Sequence, residues 1–289
     1  MLPRRRFHAE VQLSIIGLGG VTLGGLDPPA VERLVADTLA RGVNFYDVSP
    51  TYAAGEAETG LGRTLAPYRQ GVFLAGKTLE RTAAGARREL EASLRRLRTD
   101  HFDLFQLHAV NRREDVDAVF ASGGALEALL RAREDGLVRF LGFSSHSVPV
   151  SLALLDRFRF DAMLFPVNFI CYGQGNFGPQ VLERARGLGV AVIGLKALAL
   201  GRLARNQVRT HPNCWYLPIE EPSLARQALR FALSEDVVSL LPPGDEQLFR
   251  RTLEAALGFV PLADEERRRL LDGTRGMKPL MWTRTGPFR

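Results

Sequence analysis

The chain has 289 residues, 46% of them hydrophobic and 24% charged, with a formal net charge of +6. Its length and composition suit one α/β domain spanning residues 1–289, with enough apolar residues for a large core. The positive charge comes without a basic tail or the stacked aromatic motifs of nucleic-acid binding, so we expect no nucleic-acid partner.

Two cysteines, Cys171 and Cys214, are too few for a disulfide framework or a CxxC metal site. We therefore expect reduced thiols and no bound metal. Residues 1–6 lack the apolar segment of a signal peptide, and no apolar run reaches about 18 residues. These features predict a cytoplasmic protein without a membrane segment, and they leave its oligomeric state open.

The N-terminal part of the chain predicts a small β-hairpin followed by a strand that ends in glycines. Residues 6–14 alternate in the manner of a hairpin, and residues 13–16 lead into Gly17 and Gly19. A dinucleotide-binding GxGxxG motif would need a third glycine where this chain has Thr22, so we exclude that fingerprint. Glycines at a strand end allow close approach of a ligand or of neighbouring backbone.

Strands and helices then alternate along the rest of the chain. After the strand at residue 15, strand centres are predicted near residues 43, 72, 103, 138, 161, 190 and 237. Helices are predicted at residues 27–41, 82–98, 125–135, 147–157, 179–188, 222–236, 245–257 and 264–271. Apolar strands interleaved with helices favour parallel pairing, and eight such repeats predict a (β/α)8 TIM barrel. Residues 273–289 are expected to form an irregular tail, with Trp282 and Phe288 available to pack against the barrel.

Ionisable side chains follow three consecutive predicted strands. Asp47 and Tyr52 follow the second strand, Lys77 ends the third and His108 ends the fourth. In a barrel of this type the C-terminal ends of the strands converge on one mouth, where active sites lie. A carboxylate, a phenol, an ammonium and an imidazole at neighbouring strand ends therefore predict one catalytic site.

These motifs resemble those of the aldo-keto reductase family, and the resemblance covers nearly the whole chain. It rests on residues 17–20 after the hairpin, 44–47 together with 49–52, Lys77 after its strand, and 103–108. The resemblance implies a catalytic tetrad of Asp47, Tyr52, Lys77 and His108. It also implies hydride transfer from NADPH, or from NADH, to a small-molecule aldehyde or ketone, which becomes an alcohol.

The chemistry of carbonyl reduction suits these four side chains. Negative charge builds on the carbonyl oxygen as hydride arrives, so the site needs a proton donor. A free tyrosine has a pKa of about 10, and we expect the Lys77 ammonium to lower the pKa of Tyr52. Asp47 is expected to keep the lysine charged and oriented, and His108 to donate a hydrogen bond to the substrate oxygen.

The resemblance also implies a set of cofactor-binding residues, some of which depart from the usual family pattern. The set is Gly20, Val21, Asp47, Ser144, Ser145, Asn168, Leu195, Lys196, Leu198, Gly244, Arg250 and Arg251. Ser145 replaces an asparagine, Leu164 a glutamine, and Leu195 an aromatic residue that commonly stacks on the nicotinamide. We expect Asn168 to act in place of the missing amides. These departures leave the preference between NADPH and NADH open.

The helix predicted at residue 245 offers its N-terminus to a cofactor phosphate. Arg250 and Arg251 on this helix are candidates for the adenosine 2′-phosphate, although Asp245 and Glu246 oppose an anion there. The loops expected to choose the substrate are residues 109–124, residues 201–221 and the tail. Aromatic residues expected near an apolar pocket are Tyr172, Phe177, Trp215, Tyr216 and Trp282.

Two other functions remain open. A lysine at a strand end of a barrel is suited to Schiff-base chemistry, so Lys77 or Lys196 would serve an aldolase-like lyase. The altered cofactor residues also suit a non-catalytic subunit that senses nicotinamide cofactors and acts through a partner. The sequence does not identify the substrate or the preferred direction of the reaction.

Overall fold

The computed structural model of the chain describes residues 1–283. The strands are Arg4–His8 (β1), Val11–Ser14 (β2), Leu18–Gly19 (β3), Phe45–Asp47 (β4), Phe73–Thr78 (β5), Phe102–Leu107 (β6), Val138–Ser144 (β7), Ala162–Pro166 (β8), Ala191–Leu195 (β9), Ala199–Arg202 (β10), Tyr216–Pro218 (β11) and Ser239–Leu241 (β12). The α-helices are Pro28–Ala40 (α1), Glu56–Leu65 (α2), Ala83–Leu97 (α3), Arg113–Phe120 (α4), Ala125–Glu134 (α5), Val148–Arg157 (α6), Phe169–Gly175 (α7), Pro179–Leu188 (α8), Pro222–Ser234 (α9), Glu246–Leu257 (α10) and Asp264–Asp272 (α11).

Eight strands form one parallel sheet in the order β3, β4, β5, β6, β7, β8, β9 and β12. Its two edges meet at a parallel bridge between Ile16 and Leu240. At this junction the Gly17 amide donates to the Leu240 carbonyl and the Leu240 amide donates to the Ile15 carbonyl, both at 2.9 Å. Buried apolar residues join the sheet to the surrounding helices, so the predicted (β/α)8 TIM barrel is confirmed.

The hairpin of β1 and β2 closes one end of the barrel. The ring of Phe7 on β1 packs against those of Phe73 and Phe140, with centroids 4.9 and 5.2 Å apart. These residues belong to a buried apolar cluster that also includes Leu13 and Leu104. Because apolar side chains fill this end, the polar side chains of the strands gather at the opposite, C-terminal end.

Five helices, among them α1, α3 and α10, begin at side-chain caps close to their predicted starts. Asp27 accepts a hydrogen bond from the Ala30 amide at 2.7 Å at the start of α1, and Thr82 caps α3 in the same way. Asp245 accepts from the Leu248 amide at 3.0 Å at the start of α10. Such caps satisfy amides that have no partner within the helix, which makes these starts predictable from local sequence.

The structure also contains elements in segments where none is predicted. α2, α4 and α7 are additional helices, and β10 pairs with β11 as an antiparallel hairpin. α4 lies within residues 109–124 and most of the β10–β11 hairpin lies within residues 201–221, so the expectation that both segments are irregular is wrong. α4, α7 and the strands of the hairpin have eight residues or fewer, which carry too little apolar periodicity to distinguish a helix or strand from a loop. Length does not explain the missed α2, which has ten residues like the predicted α5.

The tail packs against the hairpin that precedes α9. Trp282 lies over the guanidinium of Arg202, 4.5 Å from the ring centroid to the central carbon. Residues 273–283 contain no regular helix or strand, as expected. Phe288, which was also expected to pack, lies outside the described residues.

Three findings concern thiols, metals and membranes. Cys171 and Cys214 are both buried and unpaired. Within residues 1–283 there is no group of three His, Cys, Asp or Glu side chains arranged to hold a metal ion. In the same part of the chain, every helix is too short or too polar to cross a bilayer.

Candidate active site

The four predicted catalytic side chains meet at the C-terminal end of the barrel. Asp47 is the last residue of β4, Lys77 is the second-last residue of β5, and His108 directly follows β6. Three adjacent strands therefore supply these side chains. Tyr52 begins a short 3₁₀ turn after β4. All four line one cavity of about 200 Å³, which we call the mouth. The predicted convergence of these residues is therefore what the structure contains.

The ammonium of Lys77 is the centre of this cluster. Its Nζ forms an ion pair with Asp47 and donates to the Tyr52 hydroxyl at 3.2 Å and to the Val48 carbonyl at 3.3 Å. Lys77 and Asp47 are each 1% exposed. Burial alone would lower the pKa of Lys77, but Asp47 and Tyr52 outweigh it and raise the pKa, so the amine remains charged.

Gln106 holds the carboxylate of this ion pair and is missed by the sequence reasoning. Its Nε2 donates to Asp47 Oδ1 at 3.2 Å, and the residue is fully buried. Lys77 is the register partner of Gln106 between β5 and β6. A usable signal exists, because Gln106 lies two residues after the interior Leu104 and must therefore also face the barrel interior.

The pKa of Tyr52 is raised, which corrects the expectation that Lys77 would bring it below its ordinary value. Burial is the largest cause and raises it, because the phenolate loses hydration. The Lys77 charge and hydrogen bond act in the predicted direction but offset only part of this effect. Tyr52 is therefore a neutral phenol at pH 7, with a cation in place to stabilise the phenolate that forms when the proton leaves.

His108 is neutral for a similar reason. Burial and then the Lys77 charge lower its pKa well below 6.5. Its Nδ1 lies 3.2 Å from the Ser49 hydroxyl, and the Arg81 guanidinium donates to its carbonyl at 2.9 Å. When Ser49 donates to Nδ1, the hydrogen of the neutral ring resides on Nε2, ready for donation to a substrate oxygen. Ser49 is a second residue that the sequence reasoning does not assign.

The predicted cofactor residues divide into two groups. Those that line the mouth are Val21, Asp47, Ser144, Leu195, Lys196 and Gly244, and Leu164 lines it as well. Ser144 accepts a hydrogen bond from the Ala109 amide at 2.8 Å, so its hydroxyl retains a hydrogen for a ligand. Leu195 supplies an apolar wall without an aromatic face.

The second group lies outside the mouth. Gly20 packs against the chain after Asp47, since a Cβ there would lie 2.8 Å from Val48. Ser145 accepts from the Ser147 amide at 3.2 Å and contacts Asn111, so it serves its own loop. Leu198 lines a separate cleft of about 760 Å³ between α9 and α10.

Asn168 is fully engaged with backbone, which leaves it no group for a cofactor amide. Its Oδ1 caps α7 by accepting from the Ile170 and Cys171 amides, both at 3.0 Å. Its Nδ2 donates to the Lys196 carbonyl at 3.0 Å and to the Ala199 carbonyl at 2.8 Å. Asn168 therefore holds the segment after β9 in place, and the expected direct contact with a cofactor does not follow from this geometry.

The start of α10 is not the phosphate site that the sequence suggests. The Asp245 carboxylate caps the helix and also lies 3.0 Å from His211 Nδ1, so an anion already occupies the helix terminus. Arg250 is paired with Asp37 at 2.7 Å and with Glu246 at 2.9 Å. Arg251 is exposed and lines the cleft between α9 and α10, so it is the one of the two arginines that remains available to a ligand.

The segment of residues 203–215 contributes Asn213 and Trp215 to the lining of the mouth. Asn213 donates to the Gly24 carbonyl at 2.9 Å, and His211 lies between Asp245 and Glu220, at 3.0 and 3.2 Å. The segment therefore connects the mouth to the chain after β3 and to the start of α10.

Of the five aromatic residues expected near a pocket, two line the mouth. These are Trp215 and Tyr216. Phe177 is stacked on Phe165 with ring centroids 5.0 Å apart, and Tyr172 packs edge-on against Phe231 at 5.1 Å. These two are core residues, and Trp282 lies with the tail. His146, which the sequence reasoning leaves without a role, also lines the mouth.

A family model described as the aldo/keto reductase family matches residues 15–216. The chain belongs to this family. It is 26% identical over 223 residues to the uncharacterized oxidoreductase YrpG of Bacillus subtilis, covering 70% of this chain and 68% of that protein. The family and its oxidoreductase relatives make this aldo/keto reductase an oxidoreductase.

Solved structures share its fold. The aldo-keto reductase AKR11C1 from Bacillus halodurans, in its holo form, superposes with a TM-score of 0.75 at 22% identity, covering 98% of both chains. An aldo-keto reductase from Klebsiella pneumoniae in complex with NADPH superposes with a TM-score of 0.74 at 19% identity, covering 99% of this chain and all of that one (100%). At these identities the matches establish the barrel and no finer property.

Proposed function

We propose that this aldo/keto reductase transfers hydride reversibly between NADP(H) and an aldehyde or ketone, with Tyr52 as the general acid and base. The observation that carries the proposal is the contact of 3.2 Å between Lys77 Nζ and the Tyr52 hydroxyl. Lys77 is itself paired with the buried Asp47. A phenol next to a fixed cation is suited to giving up a proton to an alkoxide as it forms.

Each residue of the tetrad has a distinct role in this reaction. Tyr52 donates its proton to the carbonyl oxygen, and the Lys77 charge stabilises the phenolate that remains. Asp47, held by Gln106, keeps the ammonium in position. Neutral His108 adds a hydrogen bond to the same oxygen without placing a second positive charge beside Lys77.

The residues around the mouth fit a nicotinamide dinucleotide. Leu195, Leu164 and Val21 supply apolar walls, and the Ser144 hydroxyl supplies a hydrogen-bond donor among them. The cleft between α9 and α10 lies beyond Leu198 and offers Arg251 to the adenosine half. When bound, the reduced nicotinamide supplies the hydride. The NADPH complex of the Klebsiella relative supports NADPH as the cofactor, with NADH as the alternative.

We place the reaction in the cytoplasm, where two buried thiols stay reduced.

Replacement of Tyr52 by phenylalanine tests the proposal. We expect Tyr52→Phe to reduce kcat for NADPH-dependent aldehyde reduction by at least about 10²-fold, because the proton donor is lost. Cofactor affinity, measured by quenching of intrinsic fluorescence, should stay within about twofold. Tyr68→Phe is the matched control, since Tyr68 is 52% exposed and lies outside the mouth. Turnover of Tyr52→Phe within a few fold of wild type would refute the assignment.

A non-catalytic sensor is the second candidate, favoured by one observation. Asn168 is engaged with backbone, and Ser145 is turned to its own loop, so the usual amide clamp on the nicotinamide has no evident substitute. A panel of aldehydes and ketones separates the two functions: a sensor binds NADPH and reduces none of them.

A Schiff-base reaction through Lys77 is disfavoured, because ion pairing raises the pKa of this amine and keeps it protonated. Borohydride trapping of a substrate adduct on Lys77 would support that reaction.

A further inference from the structure

The mouth contains a second lysine that the tetrad does not use. Lys196 directly follows β9, and Lys77 lies on β5, four strands away in an eight-stranded barrel, so the two amines enter the mouth from opposite sides. Lys196 Nζ lies 4.6 Å from the ring centroid of Tyr216 and 5.1 Å from that of Trp215. Within residues 1–283 it has no carboxylate at ion-pairing distance, whereas Lys77 is paired with Asp47.

The backbone at Lys196 is held in a conformation that favours glycine. Its φ is +61°, in the left-handed region, where a side chain makes the backbone less stable. Asn168 stabilises this conformation by donating to the Lys196 carbonyl and to the Ala199 carbonyl. Such strained positions concentrate at functional sites. The strain here places a long cationic side chain in the wall of the mouth.

The composition of the chain favours a specific role for a lysine, rather than an arginine, at position 196. The chain has 35 arginines and only three lysines, Lys77, Lys196 and Lys278. Two of the three lie in the mouth. An ammonium is a compact point charge with rotatable donors, whereas a guanidinium is large and planar, so lysine suits a small anion in a narrow space.

His146 faces the same side of the mouth. Its Nε2 is buried and has no hydrogen-bond partner within residues 1–283. Burial, and then the charge of Lys196, lower its pKa to about 3, so the ring is neutral. Its ring lies edge-on to Trp215 at 6.1 Å. A neutral imidazole with an unused nitrogen donates a hydrogen bond without adding charge.

We propose that Lys196 and His146 form an anion-binding subsite in the mouth, and that the carbonyl substrate carries a carboxylate or phosphate that binds there. An anion would supply the partner that both groups lack, since a half-buried cation without a counter-charge and a buried polar nitrogen without a partner both cost free energy. Trp215 and Tyr216 then enclose the apolar part of the substrate between the anion and Tyr52. This inference rests on the proposed carbonyl reduction. A cofactor phosphate carries the same chemistry, so the experiment must separate the two sources.

Two aldehydes of similar size provide the separation: 4-carboxybenzaldehyde, which is anionic, and 4-methylbenzaldehyde, which is neutral. We expect Lys196→Met to raise KM for the anionic aldehyde by at least about tenfold, because a charge-assisted hydrogen bond is lost. The ratio of KM for the anionic aldehyde to KM for the neutral aldehyde is the readout, because loss of a cofactor contact by Lys196 would affect both aldehydes equally. Lys196→Arg should restore part of the preference for the anionic aldehyde, and His146→Phe should weaken it by a smaller factor.

Lys278→Met is the matched control, since it removes the exposed third lysine, which lies outside the mouth. If Lys196→Met weakens NADPH binding and slows both aldehydes equally, the anion is a cofactor phosphate and the proposal is overturned. Equal KM values for the two aldehydes in the wild-type enzyme would also overturn it.

A binding measurement keeps this test independent of turnover. Terephthalate, the dianion of matching shape, should quench tryptophan fluorescence of the wild-type protein, because Trp215 lies beside Lys196. The dissociation constant of terephthalate obtained from this quenching should rise by at least about tenfold in Lys196→Met. If neither aldehyde is reduced but this quenching depends on Lys196, the proposed reaction fails and the anion subsite stands. If the quenching does not depend on Lys196, the subsite fails.

Discussion

Lys77 and Lys196 enter the same mouth from opposite sides of the barrel, but only Lys77 has a carboxylate partner within residues 1–283. The pKa of Lys77 is raised by its partners, whereas burial lowers the pKa of Lys196 to about 8. The paired lysine stabilises the fold, and in the proposed reaction it also assists proton transfer. The unpaired lysine destabilises the fold unless a ligand compensates its charge. Four predictions test this contrast between the two lysines.

The largest effect is expected for Lys77→Met. It removes the cation beside Tyr52 and leaves Asp47 buried without its counter-charge. We expect a loss of carbonyl reduction of about 10³-fold and a decrease in the free energy of unfolding of about 3–5 kcal/mol. Steady-state kinetics and urea denaturation followed by circular dichroism measure the two effects. Lys278→Met should change neither, and a stable Lys77→Met protein would contradict the structural role of the pair.

Lys196→Met should act on stability in the opposite direction. At pH 7 the folded protein holds a charged Lys196 whose pKa is about 8 rather than 10.5, which corresponds to a cost of about 3 kcal/mol. The unfolded chain binds more protons between these values, so this cost is present below pH 8 and declines as pH rises toward 10.5. Lys77 and Cys214 are the charged and titratable groups that act on this amine, and neutral His146 lies nearby.

We therefore expect Lys196→Met to unfold at higher urea concentration than wild type at pH 7. The difference should fall by about half by pH 9.5. Stability that is lower in the variant, or a difference that does not change with pH, would show that an unidentified partner already compensates the charge.

Arg251 and Arg250 allow a matched comparison on one helix. Arg251 is exposed to the cleft between α9 and α10, whereas Arg250 is paired with Asp37 and Glu246. We expect Arg251→Ala to weaken NADPH binding about tenfold and to leave NADH binding unchanged, because only NADPH carries the 2′-phosphate. Arg250→Ala should not change the ratio of the two affinities. Fluorescence titration with both cofactors is the measurement, and equal losses for NADPH and NADH in Arg251→Ala would exclude a 2′-phosphate contact.

The smallest effect concerns the apolar wall formed by Leu195. Leu195→Tyr adds an aromatic face to the mouth, and we expect NADPH to bind about two- to tenfold more tightly, since ring stacking contributes about 0.5–1.5 kcal/mol. Leu79→Tyr, at an exposed position outside the mouth, is the control. Unchanged affinity in Leu195→Tyr would place the nicotinamide away from this residue.

The tetrad is predictable from the sequence because each member follows an apolar strand and all such ends meet at one mouth. The departures at Ser145, Leu164 and Leu195 are predictable too, since each is a local comparison with the family pattern. The roles of Gln106 and Ser49 were not predicted, although alternation along β6 marks Gln106 as interior, because these roles arise from contacts with Asp47 and His108, each 59 residues away. The rise in the pKa of Tyr52 could not be predicted from the sequence either, because the burial that causes it depends on the packing of the whole mouth.

Apolar strands, capped helices and glycine stops can be recognised in short stretches of this chain, and by themselves they predict a (β/α)8 barrel and four polar side chains at the C-terminal ends of its strands. Which charges find partners depends on the folded chain. Arg250 is neutralised by Asp37, 213 residues away, and Asp245 closes a helix terminus that looked suited to phosphate. Lys196, by contrast, reaches the mouth without a carboxylate in the described chain. Electrostatic pairing depends on distances between residues that are remote in sequence, and those distances exist only after folding.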